Sequence, residues 1–478
     1  MATPRYDSPL GTRYASPAMQ ALWSAPHRAG VWRRLWLALA RAEQELGLAI
    51  PAEAIRELEQ HQDDADLDQV REYEQRLRHD VMAHIHHLGD QAPAARPWVH
   101  LGATSCYATD NADLIVMRDG LRLLLGRLHG VLDAFRAFAR LHADRPTVAY
   151  THYQPAQLTT VGKRATLWLQ DFALDAEALL DLITWLPFRG CKGSTGTQAS
   201  FLELFDGDHG RVRKLDQVVT AAFGFSRSMP VTGQTYTRKV DARVLDVLSG
   251  LAQSCAKLGN DLRLLQHEGE ILEPAEASQV GSSAMPYKRN PMRAERLGAL
   301  ARYLISLQAN PAYTAATQWL ERTLDDSANR RMTLPDAFLA ADALLLLAGN
   351  IARGLEVREG TVQRNVERVM PFMATERWLM LGVRAGGDRQ TLHEVIRGHA
   401  WAMAEVLDRG GANNLLDRLA ADPAFAAVGA QALRAELDAT RYVGRAPAQV
   451  QEFLAETIDP LLKRLQPFHV TDDAGVTV

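Results

Sequence analysis

Apolar residues recur at intervals of three and four positions along most of the chain, which is the spacing of an amphipathic α-helix. The first such run comprises Val31, Leu35, Leu39, Ala42 and Leu46. Gly47 and Pro51 follow it, and both residue types are typical of the positions just after a helix. The pattern therefore predicts an early helix that ends near Gly47.

The longest runs lie in the middle of the chain and follow a heptad pattern. One comprises Leu114, Met117, Leu121, Leu124, Leu128, Val131, Phe135 and Phe138. Another comprises Val244, Leu248, Leu251, Cys255, Leu258, Leu262 and Leu265. Looser runs cover about 163–186, 293–308 and 336–356. Such seams are typical of long helices in a bundle, and their large apolar surface also predicts association between subunits.

Alternation of apolar and polar positions, the pattern of a half-buried strand, is scarce. We therefore predict an almost all-α chain with three helical domains, in agreement with a length of 478 residues. Residues 1–104 form an N-terminal helical domain and residues 105–357 a central long-helix bundle. Residues 358–478 form a C-terminal helical domain with a short polar tail.

The composition is ordinary for a soluble protein: 47% of residues are hydrophobic, 23% are charged, and the net charge is −4. This balance disfavours a nucleic-acid or membrane partner, since both would normally require a basic surplus. Cys106, Cys191 and Cys255 lie too far apart to suggest a disulfide framework. The sequence shows neither a signal core at its start nor a run of roughly 18 apolar residues, so a cytoplasmic location is expected.

Residues 281–296 combine hydroxyl groups, prolines and cations in one short stretch, Gly-Ser-Ser-Ala-Met-Pro-Tyr-Lys-Arg-Asn-Pro-Met-Arg-Ala-Glu-Arg. Pro286 and Pro291 prevent a helix from running through it. A solvated surface loop with incidental basic residues is one interpretation. A mobile loop that closes over an anionic ligand is the other, because such a loop needs both cations and hydroxyl groups.

Arg78, His79 and Asp80 form a polar cluster that continues with three further histidines at positions 84, 86 and 87. A zinc site is disfavoured, because the cluster lacks both a His-Glu-x-x-His motif and a cysteine partner. Two interpretations stay open: a solvated helix face, or an Arg-His pair that binds an anion.

Two more clusters flank the first heptad run. Thr104 and Ser105 end the segment His-Leu-Gly-Ala-Thr-Ser, where they would either cap the next helix or direct its free amides at an anion. His152 lies in Thr-His-Tyr-Gln-Pro-Ala-Gln, a polar turn stopped by a proline between two predicted helices. A structural role for this histidine is the more common case, but histidine also exchanges protons near neutral pH.

The last cluster, residues 321–331, contains Arg322, Ser327 and Arg331. It would suit either an exposed helix end or recognition of a carboxylate or phosphate. The glycine-rich stretch 190–198 lacks the Gly-Lys-Ser/Thr ending of a P-loop. Gln234 is a further amide that would suit a ligand contact.

The stretch 281–296 resembles the Gly-Ser-Ser-x-Met-Pro-x-Lys-x-Asn signature of the fumarase/aspartase superfamily, whose members release fumarate by β-elimination. The other clusters narrow the resemblance to the adenylosuccinate lyase family. They include Arg-His-Asp-Val-Met-Ala-His at 78–84, Thr-His-Tyr-Gln-Pro-Ala-Gln at 151–157 and Glu-Arg-Thr-Leu-Asp-Asp-Ser-Ala-Asn-Arg-Arg at 321–331. The similarity runs from about residue 5 to about residue 468.

This resemblance implies three all-α domains whose central bundles form the core of a homotetramer, with active sites shared between subunits. It implies cleavage of adenylosuccinate to AMP and fumarate, and of SAICAR to AICAR and fumarate, in purine nucleotide biosynthesis. The partners are thus small-molecule nucleotides, and neither a cofactor nor a metal is expected.

Residue roles carry over by motif position. Ser282 would be the general base and His152 the general acid, while Lys288 would stabilise the serine alkoxide and Glu295 would support the site. Arg13, Arg322, Ser327 and Arg331 would contact phosphate, and Thr104, Ser105 and Gln234 the succinyl part. The full predicted binding set is Arg13, Tyr14, Arg78, His79, Asp80, Thr104, Ser105, Thr151, Gln234, Asn290, Arg296, Arg322, Ser327 and Arg331.

Two alternative functions share part of this sequence pattern. Another fumarate-releasing enzyme of the superfamily, such as argininosuccinate lyase, shares the signature, but the arginine clusters at 78–80 and 322–331 favour a phosphorylated substrate. A non-catalytic helical scaffold is disfavoured by the intact set of Ser282, Lys288, Asn290 and His152.

Overall fold

The computed structural model describes residues 6–276 and 284–470. Its N-terminal part is a set of short and medium helices that lead into one long helix. A π-helical turn, Leu10–Tyr14, precedes α1 (Pro17–Leu22), α2 (Ala25–Glu45), α3 (Ala52–Gln60), α4 (Leu67–Leu77) and α5 (Asp80–Gln91). The predicted early helix is α2, and it ends two residues before Gly47, as expected.

The central part contains the long helices, two small antiparallel strand pairs and several connecting helices. Its elements are α6 (Ser105–Leu141), β1 (Pro146–Thr151), β2 (Gln154–Thr160), α7 (Val161–Trp185), α8 (Ala199–Leu204), α9 (His209–Ala222), α10 (Lys239–His267), β3 (Ile271–Leu272), α11 (Met292–Leu307), α12 (Ala309–Ala316), α13 (Asp325–Gly354) and β4 (Glu356–Val357).

The C-terminal part is again a set of short and medium-length helices. They are α14 (Glu359–Met373), α15 (Thr375–Arg384), α16 (Arg389–Asp408), α17 (Leu415–Ala421), α18 (Ala430–Ala435), α19 (Ala446–Phe453) and α20 (Asp459–Leu465), with 3-10 turns at Pro423–Phe425, Ala439–Tyr442 and Gln466–Phe468 and a π-helical turn at Leu454–Ile458. The all-α fold class is thus confirmed. The domain boundaries at 104 and 357 stay a prediction.

The heptad runs form the main core. In α6 the seam positions from Leu114 to Phe135 are at most 1% exposed. This helix packs against α7 and α13, while α10 packs against α7, α11 and α13. Each apolar stripe is therefore covered by another long helix, as the periodicity indicated.

Helix α13 is also the one helix in the described ranges that is long and apolar enough to cross a membrane. Of its most apolar 18-residue window, 72% is buried inside the protein. Asp342 within that window is fully buried and pairs with Arg127 at 2.5 Å. These features are those of a core helix.

The segment around His152 differs from its prediction as a proline-stopped turn. It is a β-hairpin in which Thr151 pairs with Gln154, so His152 and Tyr153 alone form the turn. Pro155 does not end the turn but lies inside β2, where it pairs with Tyr150 next to an irregularity in register. A two-stranded sheet has only edge strands, and an edge strand tolerates a residue without an amide hydrogen.

Candidate active site

A cavity of about 300 Å³ lies where the N-terminal ends of α5, α6 and α13 come together. Seven of the predicted site residues line it: His79, Asp80, Ser105, Gln234, Arg322, Ser327 and Arg331. Free amide groups and the positive end of the helix dipole make each helix N-terminus favourable for an anion. Three such ends at one cavity, together with arginines, form a site suited to an anionic ligand.

The Arg78–Asp80 cluster joins α4 to α5. Arg78 adopts a left-handed conformation (φ 52°) that ends α4, and His79 is the N-cap of α5. Nδ1 of His79 accepts the amide hydrogen of Met82 at 3.3 Å, and Nε2 lies 3.4 Å from the hydroxyl of Ser105. The cap thus turns the second ring nitrogen toward the start of α6.

Thr104 and Ser105 begin α6. Thr104 is the N-cap residue, and its side chain makes no capping hydrogen bond. The turn before it is held by His100, whose Nδ1 accepts the indole hydrogen of Trp36 at 2.9 Å. Burial lowers the pKa of His100 to about 4, and the ring is therefore neutral and able to accept.

Helix α13 begins at the cavity, and an ion pair links it to α5. Arg331 donates to Asp80 at 2.6 Å. Burial alone would raise the pKa of Asp80, but the guanidinium of Arg331 and the amide of Val81 outweigh it and hold the pKa below its usual value. The charge of Arg331, one of the arginines predicted to contact phosphate, is therefore partly neutralised by Asp80.

A buried ionic network forms part of the cavity lining and was not predicted from the sequence. Arg238 donates to Asp110 at 3.1 and 3.2 Å and to Asp326 at 2.7 Å. Arg330 donates to Asp241 at 2.6 Å. Burial would raise the pKa of Asp110, yet Arg238 and Arg330 overcome it and lower the pKa, so the carboxylate stays ionised.

This network holds α6, α10, α13 and the loop before α10 in one arrangement. Its members lie up to 220 residues apart in sequence, from Asp110 to Arg330. The one available sequence signal is a charged residue at a position that helical periodicity would assign to a buried face. Buried charges are stable only when paired, and pairing across four segments cannot be read from spacing.

Gln234 is held by its backbone rather than by its side chain alone. The backbone N–H of Gln234 donates to the backbone carbonyl of Glu321 at 2.9 Å. The backbone carbonyl of Gln234 accepts from the guanidinium of Arg189 at 2.6 and 2.9 Å. A Cβ on Gly233 would lie 2.5 Å from the same Glu321 oxygen. The two loops therefore meet closely, and they bring Gln234 and Arg322 to one cavity.

The described residues of the signature loop line a different pocket from the cavity at the helix N-termini. Lys288, Asn290 and Glu295 line a separate groove of about 600 Å³, together with Arg263 and His267 of α10. Ser282 lies outside the residues that the structure describes. The groove brings together the cations Lys288 and Arg263 with the side-chain amide of Asn290, and these groups are suited to bind a carboxylate.

Thr151 and His152 form a third group, at the exposed tip of the β1–β2 hairpin. Both turn residues have positive φ, 53° for His152 and 57° for Tyr153. This is the geometry of a type I′ turn, which normally uses Asn or Gly because other side chains are strained there. Strain of this kind is concentrated at functional sites, so the turn is a candidate for function.

Arg13, Tyr14 and Arg296 form a fourth group. The guanidinium of Arg296 lies 5.9 Å from the centre of the Tyr14 ring. Arg13 precedes Tyr14 at the end of the π-helical turn. The structure thus brings the π-helical turn at Leu10–Tyr14 together with α11, the helix that follows the signature loop.

The three histidines after Asp80 point to separate neighbours. His84 packs edge-on against Trp32, His86 stacks on Tyr73, and His87 accepts the amide hydrogen of Asp66 at 3.0 Å. Across residues 6–276 and 284–470, no group of three or more potential ligands is arranged to hold a metal ion. These histidines therefore serve packing within the N-terminal part.

Comparison with known proteins first defines the class. A family model described as Lyase matches residues 18–304. The 3-carboxy-cis,cis-muconate lactonizing enzyme from Pseudomonas putida shares the fold, with a TM-score of 0.80 over 95% of this chain and 98% of that chain, at 24% identity. The helical bundle and the family match together place the chain among the lyases.

Closer relatives identify the family. A model described as Adenylosuccinate lyase C-terminus matches residues 371–453. The adenylosuccinate lyase of Saccharomyces cerevisiae is 47% identical over 468 residues, covering 97% of this chain and 96% of the relative. That of Schizosaccharomyces pombe is 46% identical over 461 residues, covering 96% and 95%. The chain belongs to the adenylosuccinate lyase family, which confirms the resemblance inferred from its motifs.

Proposed function

We propose that this protein cleaves adenylosuccinate to AMP and fumarate, and SAICAR to AICAR and fumarate, as a cytoplasmic enzyme of purine nucleotide biosynthesis. The observation that carries the proposal is the cavity at three helix N-termini, with Arg322, Ser327 and Arg331 in its wall. A substrate with a phosphate and two carboxylates requires this type of anion site. Membership of the family supplies the reaction.

The reaction is a β-elimination. A base removes a proton from the succinyl carbon beside one carboxylate, and the electron pair forms a doubly charged aci-carboxylate. The carbon–nitrogen bond then breaks as the carbon–carbon double bond of fumarate forms, and an acid protonates the departing nitrogen. Stabilisation of the intermediate charge by nearby cations and donors is the main catalytic requirement.

Ser282 is the proposed base and His152 the proposed acid. Lys288 lowers the cost of forming the serine alkoxide, and with Asn290 it binds the succinyl carboxylate. Glu295 supports this arrangement from the first turn of α11. The strained turn at His152 supports a functional role for the hairpin, since the strain has no evident use in packing an exposed tip.

For binding, Arg13, Arg322, Ser327 and Arg331 are proposed to contact the phosphate. Thr104, Ser105 and Gln234 are proposed to contact the succinyl group. The remaining proposed contacts are Tyr14, Arg78, His79, Asp80, Thr151 and Arg296.

We further propose a homotetramer in which each active site is completed by several subunits. The cavity, the loop groove and the hairpin tip are separate features of one chain, and each holds only part of the required chemistry. Leu167 and Leu174, seven residues apart on α7, are 46% and 63% exposed. An apolar face of this kind on a core helix is suited to cover by another copy.

The direct test is turnover. Purified protein is mixed with adenylosuccinate, and the ultraviolet spectrum and released fumarate are followed together. Argininosuccinate, which lacks the phosphate and the purine, is the matched control substrate. Release of fumarate from adenylosuccinate and not from argininosuccinate is expected; the opposite preference would refute the proposal. Sedimentation measurements on the same sample test the tetramer.

A further inference from the structure

A six-residue connector, residues 268–273, follows α10 and leads toward the signature loop. It includes β3, which pairs with β4 through Ile271 and Leu272. Its two buried glutamates are Glu270, which is fully buried, and Glu273, which is 4% exposed. Buried carboxylates are costly unless each oxygen is bonded, and their partners therefore show what the connector holds.

Glu270 holds the base of the hairpin that carries His152. One carboxylate oxygen accepts from the hydroxyl of Thr147 in β1 at 3.0 Å and lies 3.6 Å from the guanidinium of Arg164. Arg164 also donates to the carbonyl of Val148 at 2.5 Å. The other oxygen accepts from Asn365 of α14 at 2.9 Å. Strand β1 is thus bonded to the connector four to five residues before His152.

Glu273 holds the helix that follows the signature loop. Its two oxygens accept the backbone amides of Arg293 at 2.9 Å and Ala294 at 2.8 Å. These amides belong to the first turn of α11, where no carbonyl within the helix can accept from them. A carboxylate at this position is also favoured by the helix dipole. Glu273 therefore caps α11 from outside the helix.

The same end of the loop has two further ties to the connector region. Gln266 donates its side-chain amide to the carbonyl of Arg289 at 3.0 Å, and it accepts from the amide of Glu273 at 3.3 Å. Arg289 in turn donates to the carbonyl of Glu273 at 3.2 Å. Lys288 and Asn290 flank Arg289, so the proposed carboxylate-binding residues are attached to the connector.

We propose that Glu270 and Glu273 are positioning residues for the reaction: the connector sets the hairpin tip and the anchored end of the signature loop in fixed places on each subunit. This inference rests on the proposed function for its catalytic consequence. Catalytic groups need placement to within a fraction of an ångström, and a rigid tie outside the ligand contacts provides it. Neither glutamate lines the nucleotide cavity.

The test combines kinetics with hydrogen exchange on the full-length protein. Glu273→Gln leaves one amide of α11 without an acceptor. We expect about tenfold lower kcat with KM for adenylosuccinate changed less than threefold, because the proposed phosphate-binding groups Arg322, Ser327 and Arg331 are untouched. Peptides covering residues 284–300 should exchange faster. Glu270→Gln should give the same kinetic result, with faster exchange in residues 146–160 instead.

Glu394→Gln is the matched control. Glu394 is an exposed glutamate of the C-terminal part, and it pairs with Arg397 of its own helix, α16, at 2.6 Å. It should leave kcat and both exchange patterns unchanged. If Glu273→Gln fails to fold, Gln266→Ala tests the same end, because it removes the tie to Arg289 without altering a buried charge.

The outcomes separate the two proposals. Unchanged exchange at both segments, or kcat within twofold of wild type in both variants, overturns the positioning role. Inactivity of the wild-type protein on adenylosuccinate refutes the proposed function instead, and the exchange data then test the ties by themselves. An exchange change that spreads evenly over the whole chain indicates general destabilisation and also overturns the inference.

Discussion

The guanidinium of Arg322 rests on the carboxylate of Asp326, with its Nη1 atom 3.2 Å from both oxygens. Asp326 is fully buried and accepts a second hydrogen bond from Arg238 at 2.7 Å. The carboxylate of Asp326 thus connects Arg322 to the buried ionic network in the same cavity lining. Asp326 therefore fixes the position of the Arg322 guanidinium at the cavity wall.

Asp326→Asn should impair both stability and binding. Loss of the charge shared by Arg238 and Arg322 is expected to lower the free energy of unfolding by about 3 kcal/mol. We also expect KM for adenylosuccinate to rise about tenfold, measured by steady-state kinetics. The exposed neighbour Asp325 gives the control, and Asp325→Asn should change stability by less than about 0.5 kcal/mol. A normal KM for Asp326→Asn would show that Asp326 does not orient Arg322.

Glu43 should make stability depend on pH. It is fully buried, and neither carboxyl oxygen has a hydrogen-bond partner in the described ranges. Burial raises its pKa to about 9, whereas the unfolded value is 4.5. Between these values the folded state holds a proton that the unfolded state releases, so stability falls as pH rises, by at most about 1.4 kcal/mol per unit.

Glu43→Gln removes this titration. Urea denaturation at several values between pH 5.5 and pH 8.5, within the predicted window, should show a flatter pH dependence for the variant than for the wild type. Glu45→Gln, a change at an exposed position at the end of the same helix, is the comparison. Parallel curves for wild type and Glu43→Gln would mean that Glu43 is not protonated in the folded protein.

The turn at His152 and Tyr153 should tolerate glycine and reject a β-branched residue. At φ 57° any residue with a Cβ pays about 1–2 kcal/mol, and a β-branched residue is strained further, so Tyr153→Val is expected to displace His152. Tyr153→Gly has no such strain. We expect kcat of the valine variant to fall well below the wild-type value. We expect kcat of the glycine variant to be higher than that of the valine variant. Equal kcat values in the two variants would argue against a role for turn geometry.

Ser282→Ala and His152→Ala should each lower kcat by orders of magnitude in a folded protein. If active sites are shared, mixing the two inactive variants should restore part of the activity, because some sites in hybrid tetramers receive both intact residues. Subunit exchange is confirmed by native mass spectrometry. Confirmed exchange without recovered activity would contradict the shared site, and near-normal kcat for Ser282→Ala would require another base.

Local patterns predicted the helical framework well. Leu121, Leu124 and Leu128 were expected in a seam, and all three are fully buried. The hairpin was missed because β1 lacks a regular alternation of buried and exposed positions and its turn uses His-Tyr rather than Asn-Gly, the usual signal. The connector ties at Glu270 and Glu273 were missed for another reason: their partners lie 123 residues away at Thr147 and 20 residues away at Arg293.

The sequence by itself determined the all-α class, the long central helices and the family, because periodicity and motifs are properties of neighbouring residues. Only the tertiary structure decided which motifs meet. It joined His79 to Ser105 and Asp80 to Arg331, and it separated all four from the loop of Lys288 and from His152. The reason is that the cost of a buried charge and the closure of a cavity depend on pairing between distant segments, which spacing along a chain does not encode.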